Sequence, residues 1–227
     1  MKKRLLSGLL AFCLLFSLTS TAFAYQTEDI YTDVTETEIP SVNLEEEIYR
    51  ALNGITDVPI TEDIRQMVTA SVSSKERIDQ PVEVYYTVRD LGETQQGRAY
   101  ALTATAAGWK PEEGVAQTDF KDVNVRVSGT LYWTDGEGSN NTLERITGGW
   151  SCYDGSYTAE RRVGIAGRSV LLLSVFSYNE YPNSDSFDYT VGKSAHYLGC
   201  LIEAKCYAAN GKDWQMLKLN LDSSIFS

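Results

Sequence analysis

Histidine is almost missing from this chain. One imidazole, His196, stands among 227 residues, with five prolines and four cysteines. A single histidine excludes metal sites built from several imidazoles, and no H-E-x-x-H, C-x-x-C or G-x-S-x-G spacing occurs. Basic clusters are equally scarce. Beyond the first four residues the densest is Arg161-Arg162 with Arg168 nearby, against a formal net charge of -11. Nucleic-acid backbones need rows of Lys and Arg, so no nucleic-acid partner is expected, and an acidic surface repels anionic membranes. No apolar run reaches the ~20 residues that cross a bilayer as a helix, so an integral membrane protein is not expected either.

What the N-terminal part does hold is a basic start, Met1-Lys2-Lys3-Arg4, an apolar stretch from Leu5 to Leu18, and Ala22-Phe23-Ala24. That order is the pattern of a secretory signal cut after Ala24, which places the protein outside the cell or against its wall. Residues 25–41 then form an acidic leader. Glu28, Asp29, Asp33, Glu36 and Glu38 accompany no Lys or Arg, and apolar periodicity is lacking.

From 42 to 227 the chain reads as one β-rich domain with a small helical extension at its start. Asn43 caps a short helix whose first turn is Glu45, Glu46 and Glu47 and whose apolar edge includes Ile48 and Leu52. Thr61 to Ala70 fits a second helix, or a strand from Met67 to Val72. Beyond it the period changes to two. Val82, Val84, Tyr86 and Val88 alternate with polar residues, and Arg98 to Ala106 returns as the partner strand of a hairpin. Val123, Val125, Val127, Leu131 and Trp133 share one strand face. Leu198, Cys200, Ile202, Ala204 and Cys206 share another, followed by the hairpin signal Asn210-Gly211 and a strand carrying Leu217, Leu219 and Leu221. Val170-Leu171-Leu172-Leu173, apolar on both faces, reads as part of a central strand or of one covered by a helix or loop, and Asn179 to Gly192 as a long excursion. About eight strands with short turns predict an antiparallel β-sandwich, with a β-barrel as the alternative.

Three cysteines follow the signal. Cys200 and Cys206 are about 20 Å apart on one extended strand, too far to bridge, so the candidate disulfide joins Cys152 to Cys200 or to Cys206.

Chemistry-bearing residues gather around Thr134–Thr142, an acidic glycine loop. Asp135, Glu137, Asn140, Asn141 and Glu144 offer oxygens to a calcium ion, although their spacing is that of no calcium loop, and Asp-Gly with Asn-Asn equally makes a turn. Trp150 and Tyr153 follow Gly148-Gly149 and could stack on a sugar ring. The candidate ligand contacts are therefore Trp150, Tyr153, Asp135, Glu137 and Asn140, with no cofactor expected. No catalytic constellation stands out: Ser194, His196 and Asp188 are neighbours only in sequence, and Glu144, Glu160 and Glu203 sit in or beside strands. The expected role is an extracellular binding or interaction module with a protein or carbohydrate partner. A glycan or cell-wall hydrolase and a structural envelope protein are the alternatives.

Overall fold

The computed structural model describes residues 39–60, 67–74, 77–107, 109–110, 115–116, 124–136 and 140–221. All of them belong to the compact unit Thr37–Ser227. The segment read as a secretory signal, most of the acidic leader, most of the second helical stretch, Val123 and Glu137 lie outside the described residues.

Period-two alternation becomes two antiparallel sheets. The six-stranded sheet runs in the order β10 (Ser174–Glu180), β9 (Tyr157–Arg168), β12 (Tyr197–Tyr207), β13 (Trp214–Leu221), β1 (Val68–Ser74), β2 (Arg77–Val82). The five-stranded sheet runs β11 (Ser186–Ala195), β8 (Asn141–Cys152), β7 (Val125–Asp135), β4 (Gly97–Ala107), β3 (Val84–Thr94). Two short strands, β5 (Trp109–Lys110) and β6 (Val115–Ala116), pair separately. Both large sheets keep free edges, so the architecture is a sandwich and not a closed barrel.

Side chains at alternate positions meet between the sheets because only burial on the facing sheet removes them from water. Gln215, Leu217, Leu219 and Leu221 of β13 point inward, as do Leu198, Cys200, Ile202, Ala204 and Cys206 of β12. They meet Val125, Val127 and Leu131 of β7. At the centre the sheets approach so closely that a Cβ on Gly129 would stand 2.1 Å from Ile202 Cδ1.

Part of the outer face of the five-stranded sheet, on β3, β4 and β7, is buried too. Helix α1 (Leu44–Leu52) begins where Asn43 Oδ1 accepts from the N–H groups of Glu45 and Glu46, and it packs on β3 and β4 through Ile48 and Ala51. Beside it the sheet carries hydroxyls rather than large side chains. Register partners Thr103 and Thr130 share a hydrogen bond of 2.8 Å, and Thr105 and Ser128 one of 2.9 Å. Each of these four hydroxyls thus finds a cross-strand partner, while buried Thr87 donates to the Ile55 carbonyl.

Three expectations are corrected. Val170–Leu173 is not strand: it is the solvent-exposed turn between β9 and β10, and β10 is an edge strand. The excursion at 179–192 shrinks to a short link, because residues 186–195 form β11 and carry the chain from one sheet to the other. The candidate disulfide is not formed, since Cys152, Cys200 and Cys206 are free thiols. Cys200 and Cys206 act as small apolar core groups, and burial pushes both thiols well above their ordinary range.

Helix α1 also buries a carboxylate. Glu47 is sealed from solvent with Arg89 Nε 3.3 Å from one oxygen and Arg50 Nε 3.8 Å from the other. Burial raises its pKa more than Arg89 and Arg50 lower it. The folded chain therefore holds this proton more tightly than the unfolded chain. The stabilisation is complete below the unfolded carboxyl pKa and is lost as pH rises through the folded value. Denaturant melts across that range should show the wild type losing stability relative to Glu47→Gln as pH rises. A constant difference between the two would contradict this.

Candidate functional site

At one end of the sandwich the two inner faces do not close on each other. They leave a pocket of about 530 Å³, within the range of roughly 300–1,000 Å³ usual for small-molecule sites. The strand alternation that fills the centre supplies its walls. Val88, Leu102 and Leu131 come from the five-stranded sheet, Leu198 and Leu221 from the other, and Val58 from the segment after α1.

One wall is aromatic. Tyr100 of β4 and Trp133 of β7 are register partners, and their rings stack at 5.3 Å with planes 23° apart. Trp133 shares the inward face of β7 with Leu131, and the β4–β7 ladder keeps its register through the pair. Tyr132 turns to the outer face, where its hydroxyl accepts from Val42 N–H, while Trp133 turns into the pocket.

The polar groups gather on one side. Asp135 ends β7, Asn141 begins β8, and His196 is the single residue at the bend between β11 and β12. Asn141 Nδ2 donates to the His196 carbonyl at 3.4 Å, tying the two strand ends together. The imidazole stands edge-on to Tyr197, with ring centres 4.5 Å apart. Burial raises the Tyr100 phenol above its ordinary pKa, and the charge of Asp135 together with a hydrogen bond to it pushes the same way. Asp135→Asn should therefore lower the Tyr100 pKa toward that of free tyrosine. An ultraviolet tyrosinate titration against Tyr100→Phe isolates this group, and an unmoved titration would contradict the contact.

The sequence candidates separate into two places. Asp135 lines the pocket, and Asn140 is exposed beside it, its carbonyl accepting from Gly136 N–H at 2.9 Å. Trp150 and Tyr153 lie toward the other end of β8, about 30 Å along an extended strand from Asn141. Trp150 is 4% exposed and packs against Phe187 with ring centres 5.6 Å apart. Tyr153 is half-buried, its N–H donating to the Asn124 carbonyl. The structure does not bring these two aromatics to the loop.

Gly148 and Gly149 explain why Trp150 is a packing residue. They face β11, where Phe187 pairs with Gly148 and Ser186 with Gly149. A Cβ on Gly148 would lie 2.4 Å from the Ser128 carbonyl oxygen and 2.7 Å from Phe187 Cζ. Gly148→Ala should cost about 1–3 kcal/mol, as overpacking against backbone does. A urea melt reads it, and an unchanged midpoint would contradict the contact.

The other candidates are already engaged. Ser194 Oγ shares a hydrogen bond with Thr142 Oγ1, and Asp188 pairs with Arg145, which lowers the Asp188 pKa. Glu144 accepts from Thr134 Oγ1, Glu160 from Lys205 and Glu203 pairs with Arg162. Among the described residues, no three His, Cys, Asp or Glu side chains gather as a metal-binding group. No described helix is long and apolar enough to cross a membrane.

Period-two reasoning alone could have flagged Tyr100 and Leu102, which alternate on the inner face of β4. Leu198 was legible as a core-face residue of its strand, but His196 and Tyr197 gave no local signal that they reach the pocket, because a strand change brings them there. Comparison with protein-family models, with curated proteins and with solved structures finds no match to this chain.

Proposed function

We propose that this is an exported binding module whose end pocket takes a small ligand. The observation that carries the reading is the combination within one cavity of aliphatic walls, a stacked Tyr100–Trp133 pair, and Asp135, Asn141 and His196 on one side. Small-molecule sites have this composition: apolar walls supply affinity and a few convergent polar groups fix orientation. Its ligand is a mostly apolar or flat aromatic molecule with a hydrogen-bond donor or a cationic group at one end. The ring lies along Trp133 and the polar end meets Asp135. A hydroxyl-rich sugar would leave the leucine walls poorly used, so an aromatic or amphiphilic compound is the better fit. Hydrolysis by paired carboxylates is less favoured, because Glu144, Glu160 and Glu203 are each held by another partner.

A tryptophan-fluorescence screen with aromatic amines and aromatic alcohols tests this. Hits should compete with one another and quench Trp133. Asp135→Asn should weaken the amines about tenfold, equivalent to ~1.4 kcal/mol, and the alcohols less. Leu102→Phe, which fills the cavity, should abolish binding of both. Hits that bind Leu102→Phe and wild type equally would overturn the assignment.

A further inference from the structure

The hairpin between β9 and β10 exposes its most apolar residues. Val170, Leu171, Leu172 and Leu173 are 64%, 78%, 58% and 65% exposed, and Val175 just beyond is 55% exposed. Among the described residues no other stretch exposes consecutive large aliphatic side chains. The turn has a defined shape. Ser169 N–H donates to the Leu173 carbonyl and Leu172 N–H to the Ser169 carbonyl, both at 2.9 Å. Leu172 adopts φ 59°, a left-handed conformation that leucine disfavours. A tip that leaves this much apolar surface in water, on a strained and hydrogen-bonded turn, marks a contact site.

Cations stand at its base. Arg168 closes β9 opposite Ser174. Lys193 of β11 reaches β10, with Nζ 4.9 Å from the centre of the Tyr178 ring and 5.7 Å from that of Phe176. Ser169 and Ser174 flank the apolar residues.

We propose that this tip is a membrane anchor. Val170, Leu171, Leu172 and Leu173 enter the hydrocarbon margin of a phospholipid bilayer, while Arg168 and Lys193 meet lipid phosphates. Three observations favour lipid over a protein groove. Four aliphatic side chains on a narrow turn cover far less than the roughly 800 Å² per partner of a stable protein interface. Protein hot spots rely on Trp, Tyr and Arg, whereas leucine and valine are under-represented. Finally, apolar residues above a cationic collar match the layering of a bilayer surface, where Lys and Arg stems lie along apolar groups and their charges reach phosphate. The net charge of -11 selects a zwitterionic surface over an anionic one. Arg168 pairs with Tyr197, which lines the pocket, so the docked tip would turn the pocket end toward the lipid. The anchor stands independently of whether the pocket takes a ligand.

The test is co-sedimentation of the purified protein with phosphatidylcholine vesicles. The wild type should partition onto them. The double substitution Leu171→Ser with Leu173→Ser, at exposed positions that the fold does not need, should cut the partition coefficient at least about tenfold. In a separate variant, Leu171→Trp, emission should shift to the blue and be quenched by brominated phosphatidylcholine. Mixing in phosphatidylglycerol should weaken binding. Equal partition of wild type and the double variant, or no quenching of Leu171→Trp, overturns the anchor. Self-association that the double substitution abolishes, without vesicle binding, overturns it in favour of a second copy of the chain.

Discussion

Everything in this molecule follows from the need of two antiparallel sheets to bury their inner faces on each other. The demand is met most tightly at the centre, where Gly129 leaves room for Ile202 and Leu221. It is met with small residues where the backbones crowd, at Gly148 and Gly149. At one end it is not met, and a cavity remains between Leu102 and Leu131 on one side and Leu198 and Leu221 on the other. The candidate site is thus part of the core, placed by the same alternation that builds the fold.

Ion pairs then fix strand neighbours without entering the core. Arg145 meets Asp188 between β8 and β11, Arg162 meets Glu203 between β9 and β12, and Lys205 meets Glu160 across the same pair of strands. These pairs are partly exposed, so their worth is register more than free energy. They also engage most of the carboxylates that a sequence reading offers to chemistry. Asp135 differs, because it sits where an aromatic wall and the β11–β12 bend converge.

Much of the fold was legible. Leu217, Leu219 and Leu221 announce their strand by simple alternation, and Asn210-Gly211 announces the turn before it. The cap at Asn43 lies where its side chain accepts two N–H groups. The opposite outcome at Val170–Leu173 has a physical cause. Apolarity on both faces is the mark of a central strand, and an exposed apolar turn such as this one between β9 and β10 leaves the same mark in the sequence. Residues 186–195 were hidden because the turn residues Asn183, Ser184 and Asp185 precede a polar edge strand whose exposed face carries Asp188 and Thr190. The pocket was only half legible. Asp135 drew notice from its loop, and alternation already places Trp133 on the inward face of its strand with Leu131, but Trp150 reads as the ligand contact because nothing local shows that Phe187 packs against it. His196 reaches the site through a strand change that no local pattern encodes.

The central claim is that the two sheets leave an open, apolar-walled pocket at the end marked by Trp133 and His196. Xenon enters dry apolar cavities and is visible by its scattering, so a xenon-pressurised crystal of the protein tests the claim directly. The account requires an ordered xenon atom among Leu102, Leu131, Leu198 and Leu221. Side chains packed into that space, with no xenon between the sheets, would contradict it.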